Sequence, residues 1–327
     1  MTTITCGLCP RECHLKEGQR GFCFVRVNEG GKVVLSGYGR TSGIALDPIE
    51  KKPLYHYSPG EMILSLGTIG CNLGCKFCQN WSISRARDLS LLHQKASPKE
   101  VVALAKLNNV KMIAYTYNEP IVASEYVLDI ATLAREQNIR SVAVSAGYIS
   151  PGPREKFFSA MDATNIDLKA FSEAFYRDFV GGAHLQPVLD TLLYIKKETA
   201  CWPEITNLLI PGANDSSSEI AKMCDWIVEK LGPTVPLHFS AFHPDWKLQD
   251  RARTPLATLT RAQEIAKKSG LHYVYLGNVA SDHGGTTFCP NCQAAVIERQ
   301  GYTITSWGIV GNKCKGCGHE ISGHFEL

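Results

Sequence analysis

Residues 70–81 read Gly70-Cys71-Asn72-Leu73-Gly74-Cys75-Lys76-Phe77-Cys78-Gln79-Asn80-Trp81. Cys71, Cys75 and Cys78 stand in a C-x3-C-x2-C spacing directly after an apolar run, Met62-Ile63-Leu64-Ser65-Leu66-Gly67. That run predicts a buried strand, and Gly70 and Gly74 predict a tightly folded loop after it. The spacing also matches one face of a helix, but Gly74 in its middle argues against one. Three thiolates on so short a loop converge on something the size of an iron–sulfur cube. Such clusters are normally held by four cysteines, so three leave one iron open to a substrate or cofactor.

The remaining cysteines extend this reading. The chain has 327 residues, enough for one large core or two modest ones, and 13 cysteines. No basic segment followed by an apolar run opens the chain and no stretch approaches a membrane span, so a cytoplasmic, reducing setting is expected. There, clustered cysteines mean metal sites rather than disulfides. Cys6, Cys9, Cys13 and Cys23 form an N-terminal quartet that suits structural zinc or a second cluster equally well. Cys289, Cys292, Cys314 and Cys317 form two C-x2-C knuckles with a hairpin predicted between them, the spacing of a zinc ribbon, although a rubredoxin-like iron site uses the same ligands. Cys201 and Cys224 stand alone and read as core residues. The net charge of +3 opposes a nucleic-acid role, and Lys51-Lys52 and Lys267-Lys268 read as solvated faces.

Strands and helices alternate from residue 61. Strands are predicted over 62–66, 112–115, 141–145, 164–168, 205–210, 237–241 and 273–276. Helices are predicted over 98–108, 121–136, 153–161, 173–179, 185–199, 218–231 and 256–269, and a short hairpin over 24–50. Ser97-Pro98-Lys99-Glu100 supplies a capping box with proline at the first helical position. Strands separated by helices predict a parallel sheet, and six or seven units without a G-x-G-x-x-G fit a barrel or partial barrel. Residues 1–50 read as a Cys-rich knuckle and hairpin, 51–283 as the barrel and 284–327 as the ribbon.

The C-x3-C-x2-C motif resembles the signature of radical S-adenosylmethionine (SAM) enzymes, and residues 55–84 resemble the pyruvate formate-lyase activating enzymes within them. With both flanking cysteine sets included, nearly the full chain resembles the AmmeMemoRadiSam system radical SAM enzyme. The resemblance implies an α/β partial TIM-type (β/α)6 barrel, open on one side, with Cys-rich metal-binding extensions at both ends. It implies a [4Fe-4S] cluster on Cys71, Cys75 and Cys78, SAM, and reduced flavodoxin or ferredoxin as electron donor. Reductive SAM cleavage then yields a 5′-deoxyadenosyl radical that abstracts hydrogen from a protein or small-molecule substrate, as in glycyl-radical activases. A link to a Memo-like and an AMMECR-like protein is implied as well.

In α/β barrels the site lies at the C-terminal strand ends, which selects the polar residues after each run. Asn118-Glu119-Pro120 resembles the family's Gly-Gly-Glu-Pro segment for the SAM amino group, with Tyr117 and Asn118 in place of the glycines. Ser145 before Ala146-Gly147 offers a hydroxyl. Asp167-Leu168-Lys169 resembles the activating enzymes' Asp-x-Lys, and alternation points Asp167 and Lys169 the same way. Asn207 and Ile210, before Pro211-Gly212, take the positions expected against the ribose and adenine. His243 stands where the activating enzymes carry a histidine near SAM. Two other readings are open to the sequence: an iron–sulfur and zinc protein for electron transfer or sensing, and a zinc-ribbon nucleic-acid protein. The first requires the recurrence of polar residues after successive strands to be incidental; the second is opposed by charge.

Overall fold

The structure, a computed structural model, describes residues 3–325. Eight strands lie side by side in chain order: β1 (Gly43–Pro48), β2 (Met62–Gly67), β3 (Met112–Tyr115), β4 (Arg140–Ser145), β5 (Ala163–Asp167), β6 (Trp202–Leu209), β7 (Leu237–Ala241) and β8 (Val274–Gly277). Strands β2 to β8 are parallel and β1 runs antiparallel on β2. Their near-continuous buried runs are what a sheet covered on both faces requires. The helices Pro98–Leu107, Ser124–Glu136, Pro151–Phe158, Gln186–Glu198, Ser217–Leu231 and Leu256–Lys268 connect the strands. The first begins at the expected capping box, Ser97 Oγ accepting from Glu100 N at 3.4 Å and Glu100 Oε2 from Ser97 N at 2.7 Å.

The expected α/β partial-barrel class is present, with differences at its edges. β8 is a seventh parallel strand beyond the six that the resemblance implies. β1 was not foreseen, because an edge strand that is half exposed shows no apolar run. Pro120–Ala123 is a 3-10 turn ahead of the helix Ser124–Glu136, and β6 begins three residues earlier than expected. The hairpin strands Arg26–Glu29 and Lys32–Leu35 pair as read. Cys201 and Cys224 are buried in the core.

Inside the sheet, the N-terminal strand ends are plugged by residues 49–57. Ile49, Leu54 and Tyr57 pack there with Ile63, Met112, Ala114, Val142 and Ala163. Glu204 on β6 anchors the plug. Its carboxylate accepts from Tyr55 N at 3.0 Å, His56 N at 2.8 Å, Trp202 Nε1 at 3.2 Å and His238 Nε2 at 2.7 Å. Burial alone would raise its pKa, but His238 and these backbone donors hold it below the ordinary carboxylate range. The C-terminal segment docks on the same plug. Arg299 donates to the Tyr55 carbonyl at 2.8 Å and faces Glu50 at 3.5 Å, both side chains fully buried. His56 meets the Ser322 carbonyl and the Tyr275 hydroxyl, each at 2.6 Å. With one end filled, the cavity of the sheet opens at the C-terminal strand ends.

Burial holds the His56 pKa at about 4 against an ordinary 6.5. The unfolded chain takes up that proton first, so this contribution is whole above the ordinary value and is lost as pH falls from there towards the folded value. Between about pH 7.5 and about pH 5 this one group should withdraw roughly 2 kcal/mol. Denaturant unfolding at the two pH values should show that loss, and His56→Gln should flatten it; an equal pH dependence in the variant would exclude His56 as its source.

Candidate active site

Cys71, Cys75 and Cys78 follow β2 on an irregular loop with no helix in it. Gly70 is required at its first bend: φ is +85° and a Cβ would lie 2.4 Å from the Cys23 carbonyl. The loop is pinned from β3 by Asn118. Asn118 Oδ1 accepts from Thr68 N at 2.9 Å, and its Nδ2 donates to the Gly70 carbonyl at 2.8 Å and Thr68 Oγ1 at 3.0 Å. Asn80 Nδ2 ties the far end to the Tyr117 carbonyl at 2.8 Å.

These three cysteines open into one cavity of about 570 Å3 at the C-terminal strand ends. Asn118, Glu119, Ser145, Asp167 and Lys169 line it with them. Glu119 is buried and braces β3 to β4: Oε1 accepts from Ser145 Oγ at 2.7 Å and Ile121 N at 3.2 Å, Oε2 from Ala146 N at 2.8 Å. Burial nonetheless raises its pKa. Lys169 Nζ pairs with Asp167 at 2.9 Å. Burial would depress Lys169, but Asp167 and the Cys75 sulfur outweigh it and hold the ammonium above its usual range.

Other expected residues stand elsewhere. Asn207 and Ile210 do not line the cavity. Interior residues of β6 are even-numbered, Glu204, Thr206 and Leu208, so Asn207 faces the opposite way and donates to the Leu168 carbonyl at 2.7 Å. Ile210 is fully buried, its N–H held by Asn214 Oδ1 at 2.7 Å. His243 lines an adjoining cavity of about 650 Å3 with His238, Arg253 and Tyr302. The two cavities share Lys51, Gln79, Thr206, Ser240 and Asn278.

Several site residues were not foreseen. Lys52 is buried rather than solvated, and with Lys51 it lines the cavity. Asp47 holds both ammonium groups at 2.7 Å and accepts from the Tyr117 hydroxyl at 2.7 Å. Burial would raise Asp47, but these three donors keep it well below the carboxylate range. Tyr117 carries φ of +70°, the left-handed backbone that the family's glycine would adopt freely. Its ties to Asp47, Asn80 and the Lys52 ammonium, 4.7 Å over its ring, offset that strain. Among the described residues Thr206 Oγ1, on the shared wall, is buried with no hydrogen-bond partner, a group that a polar ligand would satisfy.

The donor set fits a cluster with an open iron. Among the described residues the cavity lining holds three cysteines and no fourth. Leu73 N donates to Cys71 Sγ at 3.3 Å, the kind of hydrogen bond that tunes cluster sulfurs. Burial pushes the Cys75 thiol up to about 12 and Cys71 well up too, so deprotonation calls for the positive charge of bound metal. The C-terminal four differ. Their sulfurs all lie within 4.8 Å of one another, with Cys289–Cys317 at 3.6 Å and Cys292–Cys314 at 3.8 Å.

Comparison with known proteins agrees with this geometry. The radical SAM superfamily profile matches residues 66–227. An uncharacterized protein of Methanocaldococcus jannaschii is 41% identical over 320 residues, 97% of this chain and 95% of its own. The pyruvate formate-lyase-activating enzyme of Clostridium pasteurianum is 24% identical over 203 residues, 55% of this chain and 80% of that enzyme. SAM-bound Streptococcus suis SuiB shares the fold with a TM-score of 0.51 at 15% identity, over 70% of this chain and 52% of SuiB. The chain belongs to the radical SAM superfamily. Its members are enzymes, and the family implies a [4Fe-4S] cluster and SAM.

Asn118→Ala leaves three polar groups of the cluster loop unbonded. It should cost about 1–3 kcal/mol of stability and at least halve the iron retained by folded, reconstituted protein. Full iron content in that variant would show that the loop holds its shape without Asn118.

Proposed function

We propose that this chain cleaves SAM reductively at a [4Fe-4S] cluster held by Cys71, Cys75 and Cys78, and that a substrate in the adjoining cavity gives up a hydrogen atom. The observation that carries the reading is the convergence, among the described residues, of three and not four cysteines with polar residues of five strands, β3 to β7, on one cavity. The cluster and SAM, when bound, supply the electron and the 5′-deoxyadenosyl radical. The chain's own residues bind, orient and enclose. Glu119 and Asp167 present negative charge where an ammonium group would bind, and Lys52 and Lys169 present positive charge for a carboxylate. Thr206 Oγ1 and Ser240 offer hydrogen bonds on the wall shared by the two cavities. His243, Arg253 and Tyr302 belong to the substrate side, a polar and hydrogen-bonding lining. Leu73, Phe77 and Leu208 supply the apolar wall that limits water.

A reduced flavodoxin or ferredoxin serves as donor in this reading. The cytoplasmic setting fits the absence, among the described residues, of any helix long and apolar enough to cross a membrane. The link to Memo-like and AMMECR-like proteins, and to a protein substrate, rests on sequence resemblance alone. The C-terminal four are read as a structural zinc site. Their 3.6 and 3.8 Å separations match the edge of about 3.8 Å for four sulfurs some 2.3 Å from one ion.

Anaerobic reconstitution followed by dithionite and SAM should yield 5′-deoxyadenosine, and Cys71→Ala should abolish it. Cys289→Ala should lower Tm by roughly 5–10 °C while the folded fraction still cleaves SAM. A loaded, reducible cluster with no cleavage, with candidate substrates supplied, would favour electron transfer or sensing. Equal loss of cleavage in both folded variants would undo the division of roles.

A further inference from the structure

The N-terminal quartet is built unlike the C-terminal one. Cys6, Cys9, Cys13 and Cys23 all line one small enclosed cavity, together with Arg11, Phe22 and Asn72. One zinc ion draws its four sulfurs to about 3.8 Å of one another, whereas the thiolates around a four-iron cube stand farther apart because each binds its own iron. Among the described residues, the group with all ligand atoms within 4.8 Å of one another is the C-terminal four, so the N-terminal quartet is the wider set.

The quartet also shares a wall with the loop of Cys71, Cys75 and Cys78. Asn72, the next residue after Cys71, lines the quartet's cavity with Cys9. Arg11 lines the quartet's cavity and reaches the neighbouring cluster loop at Asn72. It is fixed there by donating to the Asn72 carbonyl and, at 2.8 Å, to the Gly181 carbonyl, with its guanidinium 3.6 Å from the centre of the Phe22 ring. Phe22 N donates to Cys13 Sγ at 3.4 Å, as Leu73 N does to Cys71. Cys13 is partly exposed, on the outer side of the knuckle.

We propose that Cys6, Cys9, Cys13 and Cys23 hold a second [4Fe-4S] cluster, and that it passes electrons to the cluster at Cys71, Cys75 and Cys78. The relay rests on the function proposed above; the second cluster does not. One electron leaves a low-potential flavodoxin- or ferredoxin-type protein and takes the outer cluster from its 2+ to its 1+ state. It then moves inward, returning the outer cluster to 2+ and reducing the inner one to 1+, with no bond made or broken and no proton required.

The full chain, reconstituted anaerobically, should carry about eight irons and about one zinc. A Cys71→Ala, Cys75→Ala, Cys78→Ala triple variant should keep about four irons and a reducible cluster signal in electron paramagnetic resonance. The reduced wild type should show spin-coupling broadening that disappears in that variant. About four irons and two zincs in the wild type, with none of the iron left in the triple variant, would overturn the proposal. In Cys9→Ser, Cys13→Ser the ratio of flavodoxin-driven to dithionite-driven SAM cleavage should fall at least tenfold. An unchanged ratio beside eight irons in the wild type would overturn the relay. Metal counts and resonance read the second cluster even if no cleavage occurs, and the triple variant reads it if the double variant fails to fold.

Discussion

A carboxylate buried with no water around it must find donors within the protein, and Glu204 finds four of them at the base of the sheet. Two come from the backbone of the plug, one from the neighbouring strand and one from its own strand. That demand draws residues 49–57 into the barrel and fixes where the sheet is closed. The C-terminal segment then reads the plug as its own floor, through Arg299 on Tyr55 and Ser322 on His56. Leaving such a carboxylate unpaired would cost several kcal/mol, so these parts fold together. The open end is left as the place where polar side chains can face a ligand.

At that open end the polar residues divide into those that brace and those that face the cavity. Asn118, Asn207 and Asn214 spend their amides on backbone groups of neighbouring loops. Glu119 does both, holding β4 to β3 while its charge stays on the cavity wall. Asp47 organises Lys51, Lys52 and Tyr117 from outside the cavity. A cluster loop without helix or sheet of its own depends on such bracing, because few of its groups are paired locally.

How much of this could be read beforehand follows from which signals are local. The C-x3-C-x2-C loop, the capping box at Ser97 and the apolar strands β2, β3 and β7 declare themselves in consecutive residues. The even-numbered face of β6 did not, because Pro203 and Glu204 look like a loop and proline is rare inside a sheet. With the strand read from residue 205, nothing links Glu204 to Thr206, and Asn207 enters through the family resemblance alone. Lys52 reads as surface in the sequence because its partner, Asp47, sits on an edge strand with no apolar run. The pairing of Asp167 with Lys169 was legible because alternation within one strand is enough to give it.

The cations at the site follow from the chemistry of sulfur ligands. Buried Lys52 and the largely enclosed Lys169 and Arg11 would each be costly alone, and the first two are balanced by Asp47 and Asp167. Among the described residues Arg11 has no carboxylate partner; it has carbonyls, the Phe22 ring and the sulfurs of Cys9 and Cys13 in the cavity it lines, with the Cys71 charge also acting on it. Its charge is therefore left for whatever negative charge those sulfurs carry. A thiolate set that gains an electron becomes more negative, and a fixed guanidinium favours that state at both sets at once. Near-neutral overall charge is thus compatible with cations beside the sulfurs, because Asp47 and Asp167 fix lysines there, while Glu119 is the acid that shares the cavity wall with the thiolates and is bound by Ser145 and two backbone N–H groups.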